Sequence, residues 1–205
     1  KKLLGLSIFL VLVLIASLTA EAKVTLPAIF SDNMVLQQNT QVNVWGKAAP
    51  GEKVKVKASW LDKAVTAKAA ANGKWTVKLK TPKATTNQSV TVSGENEITI
   101  NNVLIGEVWL CTGQSNMEFP VSRHPDVKWN TGMLNEAEEL KDADYPEIRL
   151  FHVKHQLAHE GELDDCEGEW LVCNPKNLYD FSAVGFVFGR KLYKELKMPV
   201  GLIQS

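Results

Sequence analysis

Two hydrophobic patterns divide the sequence near residue 104, and this change restricts the possible folds more than any other feature. From residue 24 to about 105, apolar and polar residues alternate, which is typical of strands with one buried and one exposed face. Alternating segments lie around Val42 to Val44, Val54 to Ala58, Trp75 to Leu79 and Val90 to Ile100. Turn signals separate them at residues 49–52 (APGE) and at Asn72-Gly73, where we expect a hairpin. The pattern predicts an all-β N-terminal sandwich domain over residues 23–104.

The second pattern begins with a nearly continuous apolar run at residues 104–111, which indicates a strand buried on both faces in a parallel sheet. A helix is predicted over residues 133–140, a strand over 148–153, a second helix over 182–197 and a strand over 199–203. Ser182 could cap the second helix and Pro199 stops it. Its apolar face is expected to comprise Val184, Val187, Phe188, Leu192 and Leu196. Residues 105–205 therefore predict an α/β domain, and because the chain stops directly after a strand we expect it to be truncated.

The N-terminus has the features of a secretory signal peptide over residues 1–22. Two lysines precede an apolar run, and Ala20-Glu21-Ala22 matches a cleavage site, which places cleavage after Ala22. A membrane anchor is the alternative, but the run is shorter than the roughly 20 residues that span a bilayer. The first residue is not Met, so the start looks clipped. We expect an exported protein, periplasmic or extracellular, that leaves the membrane after cleavage.

Charge and cysteine content exclude several classes of protein. Lysine plus arginine and aspartate plus glutamate both number 23, so no basic excess favours nucleic-acid binding. Three cysteines are too few for a disulfide scaffold, although an oxidising compartment could join Cys166 to Cys173. Cys111 is expected to be a core residue. The sequon at Asn87 matters only in a eukaryotic secretory pathway.

The segment TGQSNME, residues 112–118, directly follows the buried strand. Gly113, two residues before Ser115, would allow the serine hydroxyl to stand above the sheet edge, with the Ser115 N–H facing a bound oxyanion. The segment is not a G-x-S-x-G elbow, because Met117 occupies the second glycine position. On spacing alone, an ordinary strand-to-loop turn is the alternative.

Residues 107–118 (EVWLCTGQSNME) resemble the first conserved block of the sialate O-acetylesterase family, which are serine esterases of the SGNH type. Further segments resemble the same family in the same order, so the resemblance covers nearly the whole chain after residue 22. They are residues 26–37, 44–46, 49–51, 73–75, 180–192 and 199–203.

The resemblance implies that Ser115 is the nucleophile and a backbone oxyanion donor. Gly113, Gln114 and Asn116 would support the turn, with Asn116 bracing it through side-chain hydrogen bonds. Glu118 could orient a partner, bind sugar hydroxyls or be a solvated carboxylate. The implied substrate is an acetylated sugar or glycan, with sialic acid expected first and an acetylxylan-type substrate as the alternative. No cofactor and no metal are expected, and the oligomeric state stays open.

The sequence departs from the family at the catalytic base, because it contains no Asp-x-x-His motif. The chain alone is therefore expected to be inactive. His124 is interpreted as a surface-loop residue. His152, His155 and His159 suggest a zinc site, but an extended strand would send His152 and His155 to opposite faces. Arg123 could grip a sialate carboxylate.

A non-catalytic, glycan-binding product is the third hypothesis. Trp45, Trp60 and Trp75 could offer aromatic platforms to a glycan. We expect Trp45 and Trp75 to belong to the core instead, since both appear on the apolar phase of their strands.

Overall fold

The computed structural model describes residues 23–124, 126, 132–157, 159 and 161–205, and the predicted signal peptide lies outside them. The first half consists of strands, as predicted. They are β1 (Val35–Gln37), β2 (Gln41–Lys47), β3 (Lys53–Ala58), β4 (Val65–Lys68), β5 (Lys74–Lys80), β6 (Thr85–Ser93) and β7 (Glu97–Cys111). In β3 and β5 the apolar residues are buried and the lysines lie mainly outside, which confirms the period-two interpretation.

Two sheets enclose the core of this half. Strands β4, β3, β6 and β7 pair antiparallel in that order, and β1 adds to β7 in parallel. Strands β2 and β5 form a separate antiparallel pair. Side chains of both sheets meet in one buried cluster, in which Val44 and Leu79 of the small sheet join Val56 and Val92 of the large one. Burial of the two inner faces against each other accounts for the alternation in the sequence.

Strand β7 connects the two halves of the molecule. Its first part pairs antiparallel with β6, and Glu107–Cys111 pairs in parallel with β10 (Val200–Gln204). The boundary predicted between residues 104 and 105 therefore lies inside a continuous strand. A Cβ on Gly106 would lie 2.0 Å from the Pro199 carbonyl oxygen. Only a residue without a side chain permits this close approach.

The second half is built on three parallel strands in the order β7, β10, β8, with β8 spanning Tyr145–His152. Strand β9 (Trp170–Cys173) pairs antiparallel with β8 at the edge. The helices are α1 (Ser115–Glu118), α2 (Glu136–Lys141), α3 (Pro175–Leu178) and α4 (Ala183–Leu196). The predicted cap of α4 is confirmed, since Ser182 Oγ accepts a hydrogen bond from the Gly185 N–H at 3.0 Å. None of the described helices is long and apolar enough to cross a membrane.

A buried arginine joins β8 to the first half. Arg149 is 4% exposed, and its guanidinium donates to the Pro146 carbonyl at 3.0 Å, to Asn33 Oδ1 at 3.2 Å and to Asn102 Oδ1 at 3.4 Å. Burial lowers the pKa of Arg149 from its ordinary value. The amide and carbonyl oxygens compensate the buried charge through hydrogen bonds, and the Glu147 carboxylate contributes electrostatically. This junction has no signal in the local sequence pattern.

Two expectations for the β half are wrong. Trp45 is 41% exposed, because it lies on the opposite side of β2 from the buried Val44; Trp75, at 2%, is in the core as expected. The turn at Asn72-Gly73 forms, with Gly73 at a φ of +77°. It does not make a hairpin, because the strands that it connects, β4 and β5, belong to different sheets.

The predicted apolar face of α4 is also wrong except at Leu192, which is partly buried and packs against the core of this half. The helix contacts the sheet through small residues and Phe186, which is fully buried. The larger apolar residues on its other side are 39–50% exposed: Val184, Val187, Phe188 and Leu196. The reason is the close approach of helix and strand, since a Cβ on Gly189 would lie 2.4 Å from Leu202 Cδ1.

Candidate active site

Ser115 begins α1 four positions after the end of β7, at the carboxyl end of the parallel strands. Its side chain is exposed. The Gln114 carbonyl accepts from the N–H groups of Met117 (2.8 Å) and Glu118 (3.2 Å), which forms a tight turn below the serine. A Cβ on Gly113 would lie 3.0 Å from Met117 Cβ, so the glycine allows the turn to fold onto the helix. The sequence predicts that the serine follows the end of a strand, but it predicts a loop there, and the short helix α1 was not expected.

The segment after α1 is held against the start of α4. Ala183 N–H donates to the Phe119 carbonyl at 2.9 Å, and Ser182 N–H donates to Gln204 Oε1 at 2.7 Å. Gln204 is the last residue of β10. The segment after α1, the start of α4 and the end of β10 are therefore connected through hydrogen bonds, which stabilise the position of α1.

A cleft of about 780 Å³ lies beside α1 and collects titratable side chains from several elements. They are Glu118, His124, His152, Lys154, His155, Glu169 and Asp180. His124 Nε2 lies 2.7 Å from Asp180 Oδ1, and His155 Nε2 lies 3.3 Å from Glu118 Oε1. Desolvation lowers the pKa of His152, with a further contribution from His155, while Asp180 and Glu118 oppose the shift.

Three of the predicted site residues come together with the histidines. Gly113, Gln114 and Glu118 line a small cavity of about 80 Å³ that also includes His152 and His155. Ser115 and Asn116 are exposed and do not line it. Within the described residues, the Asn116 side chain makes no hydrogen bond, so the predicted bracing is not seen there.

The contacts also answer two questions that the sequence left open. Glu118 is paired with His155, and His124 is paired with Asp180 rather than isolated on the surface. No group of three or more metal-binding side chains is assembled among the described residues, the three histidines of the zinc hypothesis included. Nothing in the sequence indicated either pair, because the partners come from different elements.

The cysteines do not form the disulfide that the sequence suggested. All three are free thiols: Cys111, Cys166 and Cys173. Cys173 belongs to the core of the α/β half, whereas Cys166 packs against the core of the β half, so the two thiols do not meet. Burial raises the pKa of the Cys173 thiol to about 12.

Comparisons with known proteins agree with this geometry. The chain is 31% identical to the sialate O-acetylesterases of Homo sapiens and Pongo abelii, in alignments that cover 98% of this chain and 40% of each relative. It is 38% identical to the sialate O-acetylesterase of Mus musculus over 117 residues, which cover 53% of this chain and 20% of that protein. The crystal structure of a carbohydrate acetylesterase from Xanthomonas citri superposes with a TM-score of 0.78 at 31% identity, covering 89% of this chain and 40% of that one. No protein-family model matches the chain.

Proposed function

We propose that this chain, which belongs to the sialate O-acetylesterase family, carries the nucleophile of a carbohydrate esterase. The proposed reaction is the hydrolysis of O-acetyl esters. The observation that carries the proposal is the position of Ser115. An exposed serine begins a helix directly after a parallel strand, and a cleft wide enough for a sugar lies beside that helix.

Ser115 Oγ attacks the acetyl carbonyl carbon and gives its proton to a base. The sugar alcohol leaves, and water then releases acetate from the acetyl-enzyme. Within the described residues, the Ser115 N–H has no hydrogen-bond partner, so this donor is available to the developing oxyanion. We identify no base, because no histidine hydrogen-bonds to Ser115 in the described part of the chain. The reaction requires neither a cofactor nor a metal.

O-acetylated sialic acid is the first substrate candidate, because the mammalian relatives are named sialate O-acetylesterases. An acetylxylan-type substrate is the second candidate, and the likeness to the Xanthomonas citri carbohydrate acetylesterase is compatible with either sugar. We further propose that residues 23–104 are a β-sandwich domain and residues 105–205 the start of an SGNH-type domain. The three parallel strands and α4 support the second assignment. Residues 1–22 are proposed to direct export. N-terminal sequencing of the mature protein tests this, and we expect the mature protein to begin at Lys23.

The test is hydrolysis by the protein expressed from its complete open reading frame. Ser115→Ala is expected to lower kcat for an activated acetyl ester by about 10⁴-fold or more. Ser93→Ala is the matched control, because this serine bonds only to Glu97 at the solvent-exposed end of β6. Release of acetate from O-acetylated sialic acid and from acetylxylan then separates the two substrate candidates. Full turnover by the Ser115→Ala enzyme would refute the proposal.

A further inference from the structure

Trp45 presents an ordered aromatic surface to the solvent. Its side chain is 41% exposed, although Phe30, which is nearly buried, packs edge-to-face against it with ring centroids 4.6 Å apart. The contact fixes the orientation of the indole. An oriented indole in a concavity is a surface on which the apolar face of a sugar ring can stack with little loss of side-chain entropy.

Charged groups surround this indole in a cavity of about 340 Å³, called here the Trp45 cavity. Its lining includes Trp45, Lys47, Lys74, Trp75, Asp164 and Asp165. Asp164 accepts from Lys74 Nζ at 2.5 Å and lies 3.2 Å from Lys47 Nζ. Asp165 Oδ1 accepts from the Ala28 N–H at 3.0 Å. Two ammonium groups face two carboxylates, so the cavity offers both donors and acceptors without a net charge.

Trp75 also forms part of the wall of the Trp45 cavity and is 2% exposed, and its indole N–H has no hydrogen-bond partner within the described residues. A buried donor without a partner carries a desolvation penalty. This N–H is itself buried, so it would reach a hydroxyl oxygen in the cavity only if the wall rearranges on binding.

The Trp45 cavity lies next to a larger cavity on the side of the candidate active site. This larger cavity, of about 870 Å³, shares Trp45 and Asp164 with it and is also lined by His155 and Ser205. His155 and Ser205 also line the small cavity at Gly113. Neighbouring cavities that share these side chains therefore lie between the exposed indole and the turn that carries Ser115.

We propose that the Trp45 cavity is a glycan-binding subsite for a neutral pyranose, stacked on Trp45 and hydrogen-bonded by Asp164 and Lys74. This pyranose belongs to the same oligosaccharide as the acetylated unit that lies at Ser115. The position of the acetylated unit at Ser115 rests on the proposed function. The balanced charge of the cavity favours a neutral sugar over an anionic one. Two kinds of glycan contain such neutral units: plant xylan, with its xylose units, and sialylated glycans, with the hexoses to which sialic acid is attached.

Isothermal titration of the Ser115→Ala chain tests the subsite without ester hydrolysis. The probes are xylohexaose and 3′-sialyllactose, both without acetyl groups. We expect saturable binding of at least one probe, and the stronger ligand identifies the source of the glycan. Trp45→Ala is expected to weaken that binding about tenfold or more, and Trp45→Phe by less, because a smaller aromatic ring remains.

Trp109→Ala is the matched control. Trp109 is 42% exposed and packs edge-to-face against Phe188 at 5.1 Å, but it lines none of the cavities described above. The control is expected to bind like the parent chain, and circular dichroism verifies that each variant is folded. Unchanged affinity in the Trp45→Ala variant, an equal loss in Trp109→Ala, or no binding of either probe would overturn the subsite. A failure of Ser115→Ala to abolish hydrolysis would contradict the proposed nucleophile and leave this binding result intact.

Discussion

Gly106→Ala tests the close approach of β7 to the backbone of Pro199, where the two halves of the molecule meet. The new Cβ would lie 2.0 Å from the Pro199 carbonyl oxygen and 2.7 Å from its carbonyl carbon, both of which are backbone atoms. Pro199 cannot move away without losing the hydrogen bond that its carbonyl accepts from the Glu107 N–H at 2.9 Å. Overpacking that shifts the backbone costs about 3 kcal/mol, at the upper end of the usual range.

The lost hydrogen bond adds about 1 kcal/mol, and the lower entropy of alanine in the unfolded chain returns a similar amount. We therefore expect Gly106→Ala to lower the free energy of unfolding by about 3 kcal/mol. For a chain of this size, that corresponds to a decrease in Tm of roughly 6–12 °C. Urea titration followed by circular dichroism and by tryptophan fluorescence measures the change and shows whether the transition is two-state.

Gly185→Ala is the matched glycine control. Its Cβ would lie 3.2 Å from Cys111 Sγ and 3.3 Å from Ser182 Cβ, so neighbouring side chains need to move only slightly. The better helix propensity of alanine offsets that cost by about 1 kcal/mol, and we expect a stability within about 1 kcal/mol of the parent. A Gly106→Ala protein that is as stable as the Gly185→Ala protein would show that β7 and Pro199 do not approach as closely as described here.

Three further predictions concern titratable groups. Glu139 is buried and hydrogen-bonded to both terminal nitrogens of Arg190, which holds the pKa of the Glu139 carboxyl below 4.5. Glu139→Gln should therefore lower the free energy of unfolding, measured in urea near neutral pH, by about 1–3 kcal/mol. This difference between variant and parent should disappear as the pH falls through the Glu139 pKa. NMR titration should give His152 a pKa below 6.5. Because the His152 imidazole binds a proton more tightly in the unfolded chain, the free energy of unfolding should decrease as the pH falls below 6.5. Alkylation of the unfolded, unreduced protein should modify all three cysteines in mass spectra; modification of one alone would indicate a Cys166–Cys173 disulfide.

Much of the secondary structure could be predicted because its signals are local. The strands around Val54 and Trp75 follow from alternation, and α4 follows from an N-cap serine at one end and a proline at the other. The position of Ser115 after a strand end was also predictable, since an apolar strand precedes Gly113 and Ser115. The expectation that this strand is buried on both faces is wrong at its end, because Trp109 and Leu110 are 42% and 62% exposed.

The errors arise where the outcome depends on a distant partner. Alternation identifies β2 as a strand, but Trp45 was assigned to the apolar phase although Val44 already defines the buried side. In α4, hydrophobicity suggests the larger residues as the buried face, whereas the distance to Leu202 selects Gly189. Helix propensity and periodicity contain no information about such a distance.

The histidine–carboxylate pairs show the same limit at the site, and they also bear on its chemistry. His155 and Glu118 are 37 positions apart, so no local pattern could have paired them. In a serine triad, one imidazole nitrogen faces the serine and the other is held by a carboxylate. In both pairs described here a carboxylate lies at Nε2, and neither ring hydrogen-bonds to Ser115 within the described residues. Neither pair therefore shows the geometry of a triad with Ser115, and the proposed nucleophile depends on a base that these two pairs, as they stand, do not provide.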